Sequence, residues 1–298
     1  MNDQINCIKL PQNIQELFAT LKNKIEPIYN KVIPIEVKSR KNKHQAKMTD
    51  VEIISIQLII EILSLSQKRG YCFLMANFSS LVNYVERSRF SRTINNLAFV
   101  IKRIREEFNN KEEFGIVDSC PLHTATTSRG WQAKRLQSES CYGYCATKKE
   151  YYYGMKFHLV VSLNGFVQDY TITNAKEDDR VALLEIGKRL TFDSLIGDKG
   201  YVGIEKQMKK EYGINLYALK RKTSSISLPK AFRNIISKLR KRIETTFAQL
   251  IHYFNIQKVK VNSKLGFTSR LESKLLCFNL LCIISNSTSI SKIMNFGL

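Results

Sequence analysis

Residues 194–198 read Ser-Leu-Ile-Gly-Asp, and residues 114–118 read Phe-Gly-Ile-Val-Asp. Each is a short apolar run with the length of a β-strand, and each ends in an aspartate. Residues 214–219 form a third short apolar run. In α/β sheets, catalytic groups gather beyond the carboxyl ends of the strands, so the two aspartates are candidate site residues.

The segments between these runs complete a mixed α/β pattern. Residues 151–163 are rich in aromatic and β-branched residues, and Asn164-Gly165 predicts a hairpin turn into a second strand over residues 166–173. Apolar residues at helical spacing predict helices over residues 179–190 and 231–254. The order of strand, hairpin, helix, strand, helix, strand and helix predicts a mixed-sheet α/β fold.

The N-terminal third has a different, helical pattern. Thr49-x-x-Glu52 is a capping-box sequence before an apolar run, so we expect a helix from residue 49 to about residue 67. A second apolar stripe follows at helical spacing, made of Phe90, Ile94, Leu97, Ile101, Ile104 and Phe108. We therefore predict a small helical domain over residues 48–110, either a DNA-binding helix-turn-helix unit or a packing subdomain.

Two further segments complete the predicted domain organisation. Residues 1–47 are polar and end in a basic run at residues 38–43, which predicts a short helix followed by a basic arm or linker. Residues 111–290 are predicted to form the α/β domain.

The net charge of the chain indicates what kind of molecule the protein binds. There are 47 Lys and Arg residues against 26 Asp and Glu residues, a net charge of +21 in 298 residues. Such an excess favours a polyanionic partner, with nucleic acid first, an anionic membrane surface second and a purely solubilising charge as the plain alternative. The longest apolar stretch, residues 275–284, is about half of the ~20 residues that a membrane span requires, and we recognise no signal peptide.

The seven cysteines are scattered along the chain, which predicts buried thiols in a reducing compartment. Cys120, His123, Cys141 and Cys145 are close enough in sequence for a zinc site, but their spacing matches no strong zinc pattern. Structural cysteines are therefore the favoured interpretation.

Three acids are the candidates for chemistry: Asp118, Asp198 and Glu244. Glu244 lies at the edge of the apolar stripe of the predicted helix 231–254, although it also has the spacing to pair with Arg240 on a solvated face. Three carboxylates in one site repel each other and require cations, and oxygen ligands suit Mg²⁺ or Mn²⁺. A basic surface around a metal-filled acidic centre is the arrangement expected for phosphodiester chemistry.

Several blocks of the sequence resemble the DDE transposases of insertion-sequence family 982, from about residue 48 to residue 285. These blocks, in order, are Arg87-Ser-Arg-Phe-Ser-Arg92, Gly143-Tyr-Cys145 with Tyr153-Gly-Met-Lys-Phe-His-Leu159, Thr173-Asn-Ala-Lys-Glu-Asp-Asp-Arg180, Ile196-Gly-Asp-Lys-Gly-Tyr201, and Arg240-Lys-Arg-Ile-Glu-Thr-Thr-Phe247. The chain departs from the family pattern at four positions: Asn174 replaces a proline, Lys176 an asparagine, and Ser237 and Ile251 stand where neighbouring families carry a tyrosine and a lysine.

This resemblance implies an RNase H-like catalytic core with Asp118, Asp198 and Glu244 as the catalytic and metal-binding triad, and Mg²⁺ or Mn²⁺, two ions, as the cofactor. It implies cleavage at the ends of an element and joining of the freed 3′-hydroxyl to target DNA. The candidate DNA contacts are basic or aromatic residues in the matching blocks: Arg89, Arg92, Lys156, Lys199, Tyr201, Arg240 and Arg242. Each of these residues can instead have a purely structural role, as a packed strand residue, a turn residue or part of a solvated helix face.

The sequence therefore predicts a bacterial DNA transposase in the cytoplasm, associated with the nucleoid, which acts on DNA as a homodimer or larger complex and has no membrane partner. Two alternatives stay open. One is a catalytically inactive DNA-binding protein from a decayed element, and the other is an RNase H-like nuclease that cleaves without strand transfer.

Overall fold

A computed structural model of the chain describes residues 11–41, 45–109, 112–146, 148–219 and 229–284. Asn42 and Lys43 of the predicted basic run, and residues 285–290 of the predicted α/β domain, lie outside these ranges. The helices are α1 Pro11–Val32, α2 Ile35–Lys38, α3 Asp50–Ile62, α4 Gln67–Asn77, α5 Arg87–Asn96, α6 Ala98–Glu106, α7 Asp179–Gly187, α8 Glu205–Tyr212, α9 Lys230–Phe254 and α10 Lys264–Ile284. The strands are β1 Phe114–Ala125, β2 Cys141–Cys145, β3 Glu150–Ser162, β4 Val167–Asn174, β5 Ser194–Gly197 and β6 Asn215–Ala218.

The chain divides into two compact units, each with its own core. Among the described residues, the helical unit comprises those within 11–108, 252–255 and 263–284, and the α/β unit comprises those within 109–251 and 256–262. No described helix is long and apolar enough to cross a membrane.

The helical unit includes more of the chain than the sequence predicts. Residues 1–47, predicted as a short helix followed by a basic arm or linker, contain the 22-residue α1, which packs on α3 and α6 through a buried stripe made of Ile14, Phe18, Leu21, Ile25 and Tyr29. Helix α10, which the sequence analysis assigned to the α/β domain, packs on α3, α5 and α6 instead. Packing partners therefore decide which unit α1 and α10 belong to, and local composition does not reveal those partners.

The predicted helix starts in this unit are confirmed in part. Thr49 caps α3 in a capping box with Glu52, as predicted, but α3 ends at Ile62 and Ser64 adopts a positive φ of 52°. The long apolar stripe that begins at Phe90 is interrupted at Leu97, so it forms α5 and α6 rather than one helix.

Buried ion pairs link α10 to the rest of the helical unit. Arg105 of α6 and Glu272 of α10 are 2.8 Å apart with both side chains fully buried. Glu61 of α3 pairs with Arg270 at 2.9 Å and with Lys274 at 2.7 Å. Such pairs stabilise the fold only while both partners are present, because an unpaired buried charge is strongly destabilising.

The α/β unit is built on one mixed six-stranded sheet with the order β2-β3-β1-β5-β6, and β4 pairs with β3. β1 pairs antiparallel with β3 and parallel with β5, while β5 pairs parallel with β6. Because β1 occupies one edge of β3, β2 and β4 share its other edge. The mixed α/β prediction is confirmed by this sheet.

Local sequence signals explain most of these elements. The predicted Asn164-Gly165 turn joins β3 to β4, and Gly165 adopts the positive φ of 86° that this turn requires. α7 and α8 cover a core around Val117, Val160 and Leu183, and the Phe247 ring of α9 packs on Phe157 with centroids 6.3 Å apart.

Candidate active site

Two predicted acids meet at the centre of the sheet. Ile116 of β1 is opposite Ile196 of β5 in the parallel register, and Asp118 and Asp198 each lie two residues further along. Neighbouring parallel strands bring such positions together at the same edge of a sheet. The backbone N–H of Gly200 donates to Asp198 Oδ1 at 2.8 Å and fixes this carboxylate at the start of a short 3-10 turn.

The environment of Asp118 disfavours its charge. Burial raises the pKa of Asp118 to about 6, and the negative charges of Asp198 and Asp179 contribute to the same shift. The Ser119 N–H donates to Asp118 Oδ1 at 2.8 Å and the Arg240 guanidinium lies 3.4 Å from Oδ2, and both of these contacts oppose the shift. The site therefore concentrates negative charge in a confined space, with Arg240 as the cation in contact with Asp118.

A third acid, Asp179, joins this pair, and the sequence analysis did not select it. Asp178 is the N-cap of α7, as expected from its position, which leaves Asp179 as the first helical residue. A Cβ atom placed on Gly200 would lie 3.0 Å from Asp198 Oδ1 and 3.1 Å from Asp179 Oδ2, so the two carboxylates approach each other across this glycine. The sequence held one indication that Asp179 has another role. A helix N-terminus needs only one capping acid, and Asp178 already fills that position, so the second acid of the Asp178-Asp179 pair is left over.

Asp179 is held by groups from two strands. Its Oδ1 atom accepts a hydrogen bond from Ser119 Oγ at 3.2 Å and lies 3.3 Å from Lys156 Nζ and 3.5 Å from His158 Nδ1. Burial lowers the pKa of His158 to about 4, so this imidazole is neutral at pH 7. Lys156 is therefore the cation that offsets the charge of Asp179.

Glu244 does not join the cluster. It lies one turn beyond Arg240 on α9, and residues four apart share a helix face. Its side chain is exposed and makes no hydrogen bond or ion pair within the part of the chain that the structure describes. Across the same residues, no group of three His, Cys, Asp or Glu side chains is arranged to hold a metal ion.

The comparisons with known proteins bear directly on this acidic centre. The family model of the transposase DDE domain matches residues 109–280, which is more than half of the chain and includes all four acids described above. The chain belongs to this family. The DDE domain is the catalytic part of transposases, so the protein is an enzyme that acts on DNA in transposition.

Two other comparisons were made. No curated protein matches the chain. Among solved structures, the chain is similar to piggyBac transposase in a cryo-EM structure of its synaptic complex with hairpin DNA. The sequence identity is 12%, the TM-score is 0.49, and the similarity covers 98% of this chain and 80% of that one.

The residues predicted to contact DNA in the DDE domain have different environments. Lys199 is exposed beside Asp198, whereas Tyr201 is only 1% exposed and its hydroxyl is buried next to the acids with no hydrogen-bond partner among the described residues. Lys156 is part-buried, and its Nζ donates to the Glu177 carbonyl at 2.8 Å as well as pairing with Asp179. A phosphate can approach Lys199 directly, while Tyr201 belongs to the packing behind the acids.

Arg242 is engaged with the chain itself. Its Nε donates to the Leu163 carbonyl at 3.0 Å, and its side chain lies over Gly165 in the β3–β4 turn. Thr246 Oγ1 also donates to the Gly165 carbonyl, at 3.3 Å. Arg242 therefore fastens α9 to the sheet, and through α9 it helps to position Arg240.

The remaining predicted positions are two arginines of the helical unit and the possible zinc ligands. Arg89 and Arg92 are both exposed on α5 in the helical unit. Cys120, Cys141 and Cys145 are free thiols, and no metal-binding group forms around them or His123 in the described chain.

Proposed function

We propose that the protein is a DDE transposase of insertion-sequence family 982, with an RNase H-like core, that cleaves the ends of a bacterial element and joins them to target DNA. The observation that carries this proposal is the meeting of Asp118, within β1, and Asp198, directly after β5, just past the point where the parallel pairing of these two strands ends. The membership in the transposase DDE family supports the same reaction class.

The residues present fit a divalent cation. The donors are carboxylate oxygens, which suit Mg²⁺ or Mn²⁺, and burial together with the neighbouring charges of Asp198 and Asp179 raises the pKa of Asp118. We propose that Asp118, Asp198 and Glu244 hold two ions, with Glu244 contributed by the face of α9 that carries Arg240. Bound metal would supply activation of the attacking oxygen and stabilisation of the leaving oxygen.

The other residues of the chain hold this centre in place. The N–H groups of Ser119 and Gly200 orient the two aspartates, and the Lys156–Asp179 pair fixes the start of α7 beside them. Arg240 offsets part of the negative charge at Asp118 and is placed to contact a DNA phosphate next to the reacting bond. We propose that Lys199 and Arg242 lie along the same DNA strand.

For the helical unit we propose DNA binding through α5. A cavity of about 310 Å³ next to α5 is lined by four cations: Arg40, Lys41, Lys47 and Arg89. Arg40 is paired with Asp50 at 2.5 Å, while the other three form no ion pair within the described chain. This surplus charge, together with Arg92, supports a phosphate-binding surface. We further propose that the protein acts as a dimer or larger complex on DNA, in the cytoplasm at the nucleoid.

The test is excision and joining in a cell that carries a donor plasmid with the DNA that flanks the gene. We expect Asp118→Asn, Asp198→Asn and Glu244→Gln each to reduce excision below detection, while Asp193→Asn, an exposed acid next to β5, serves as the matched control and retains it. The purified variants should still bind DNA.

Three outcomes separate the alternatives. Cleaved products without joined strands would favour the nuclease, and DNA binding without cleavage by the unmodified protein would favour a decayed element. Full activity in Glu244→Gln together with loss in Asp179→Asn would replace Glu244 by Asp179 as the third acid.

A further inference from the structure

An unusual set of aromatic side chains faces solvent on the β2–β3 hairpin and the short 3-10 helix at Thr127–Gln132. Trp131 is 72% exposed, Tyr142 39%, Tyr144 53% and Tyr151 69%. We call these four residues the aromatic patch. They are all of the exposed large aromatic side chains among the described residues of the α/β unit. Aromatic residues are costly to leave in water, so a cluster of them indicates a binding surface.

The tyrosines of the patch form one continuous surface. Tyr144 is opposite Tyr151 and Tyr142 is opposite Tyr153 in the antiparallel register, and the ring centroids of each pair are 5.0 Å apart. Directly opposed residues share a face of a sheet, as do residues two apart on one strand, so the tyrosine rings all lie on the same side.

Trp131 is placed next to these rings by close packing of its own segment. A Cβ atom on Gly130 would lie 2.6 Å from the Tyr153 ring, so the 3-10 helix rests directly on the sheet face. The Tyr142 hydroxyl donates to the Thr127 carbonyl at 3.1 Å and fixes the other end of the helix.

The charge around the patch selects the kind of partner. Five exposed cations lie in the same segment, against two acids: Arg129, Lys134, Arg135, Lys148 and Lys149, against Glu139 and Glu150. Lys148 and Glu150 are 3.8 Å apart and offset each other. Exposed aromatic rings bordered by surplus cations are the combination that binds single-stranded nucleic acid, because the rings stack on bases and the cations contact phosphates.

The position of the patch relates it to the acidic centre. Asp118 is opposite Leu159, and Leu159 and Tyr151 are an even number of positions apart on the continuous strand β3. Asp118 and the tyrosines therefore share one face of the sheet. At about 3.3 Å per residue, Tyr151 lies about 26 Å along β3 from the position opposite Asp118. This distance equals about eight phosphates of a DNA strand at 3.4 Å each.

We propose that the aromatic patch binds unpaired DNA bases by stacking, on the strand that passes through the active site and about eight nucleotides from the reacting bond. The strand's path rests on the proposed function, whereas stacking by the patch does not. Tyr144 and Tyr151 present the most exposed tyrosine rings and form the centre of the stacking surface. The alternative occupant of such a surface is a second copy of the chain.

The experiment uses the purified full chain in EDTA and a single-stranded oligonucleotide that contains the fluorescent base 2-aminopurine, whose emission is quenched by stacking. We expect Tyr144→Ala/Tyr151→Ala to raise the Kd for this oligonucleotide at least about fivefold and to abolish the quenching, since each stacked base contributes substantially to affinity. The matched variant Tyr144→Phe/Tyr151→Phe keeps the rings and should bind like the unmodified protein. Affinity for blunt duplex DNA should not change.

The position of stacking is tested separately. The fluorescent base is moved one nucleotide at a time along the single-stranded tail of a partly duplex oligonucleotide that carries the element end, and quenching should be greatest about eight nucleotides from the cleavage site.

Two results would overturn the proposal. One is equal oligonucleotide affinity and quenching in the alanine and phenylalanine variants. The other is a lower oligomeric state of the alanine variant with unchanged oligonucleotide binding, which would assign the patch to a protein interface. Because the measurements need no cleavage, the Asp118→Asn protein should bind the oligonucleotide normally. Loss of cleavage and loss of stacking are thus distinguishable failures.

Discussion

The burial of Asp118 beside the negative charges of Asp198 and Asp179 predicts that this carboxylate destabilises the fold when no cation is bound. A carboxyl whose pKa is higher in the folded than in the unfolded chain lowers stability as pH rises between the two values. For Asp118 the pKa rises from the ordinary 3.8 to about 6. At 1.36 kcal/mol per pKa unit, the full penalty is about 3 kcal/mol; it is negligible below about pH 3 and nearly complete at pH 7. Asp118→Asn should therefore stabilise the α/β unit by up to about 3 kcal/mol at pH 7.5.

Thermal unfolding in EDTA at pH 4.5, 6 and 7.5 measures this effect. For a unit of about 150 residues, about 3 kcal/mol corresponds to an increase in Tm of about 6–12 °C. The control Asp193→Asn removes an exposed acid and should change stability by less than about 0.5 kcal/mol at every pH. Saturating Mg²⁺ should stabilise the unmodified protein and have little effect on Asp118→Asn. A difference between Asp118→Asn and the unmodified protein that does not grow with pH would refute the reasoning.

Three further predictions concern stability. Glu272→Gln leaves Arg105 buried without its counter-charge and should cost about 3–5 kcal/mol by urea unfolding, and the double change Arg105→Met/Glu272→Leu should recover most of this loss. Gly154→Ala places a Cβ 1.8 Å from the Leu122 carbonyl oxygen, so it should cost more than about 4 kcal/mol and prevent recovery of folded protein; recovery with an unchanged Tm would contradict this packing. Thr49→Ala removes the cap of α3 and should cost about 0.5–2 kcal/mol, whereas Thr49→Ser should be nearly neutral in the same unfolding assay.

Much of the α/β unit was predictable because the secondary structure that the local sequence favours is also the one that the tertiary contacts stabilise. The Asn164-Gly165 turn, the apolar runs at 114–118 and 194–198 and the stripe of α9 each specify one element, and the sheet uses all of them. The approach of Asp118 to Asp198 follows from the parallel pairing of the two apolar runs, although β1 continues past Asp118 to Ala125. The sequence could not tell whether Glu244 reaches them, because that depends on the rotation of α9 about its axis.

No strand is predicted from the sequence between Asp118 and Tyr151, but this segment contains the end of β1 and the whole of β2. Strands are recognised by alternation of apolar and polar residues, and here the solvent face carries tyrosines instead of polar side chains. The exposed rings of Tyr142 and Tyr144 thus concealed the strand. The place of α10 was unpredictable for another reason, since its apolar residues do not specify which unit they pack against.

The helical unit is assembled from both ends of the described sequence, and this has a consequence for synthesis on the ribosome. Until α10 has been translated, the parts of α3, α5 and α6 that pack on it are uncovered, Arg105 lacks the Glu272 carboxylate, and Glu61 lacks Arg270 and Lys274. The acids of the DDE domain, in contrast, are all translated before α10. A nascent chain thus makes the acids of the candidate active site first and completes its helical unit last, so a product released before residue 264 carries the acids on a chain exposed to proteolysis.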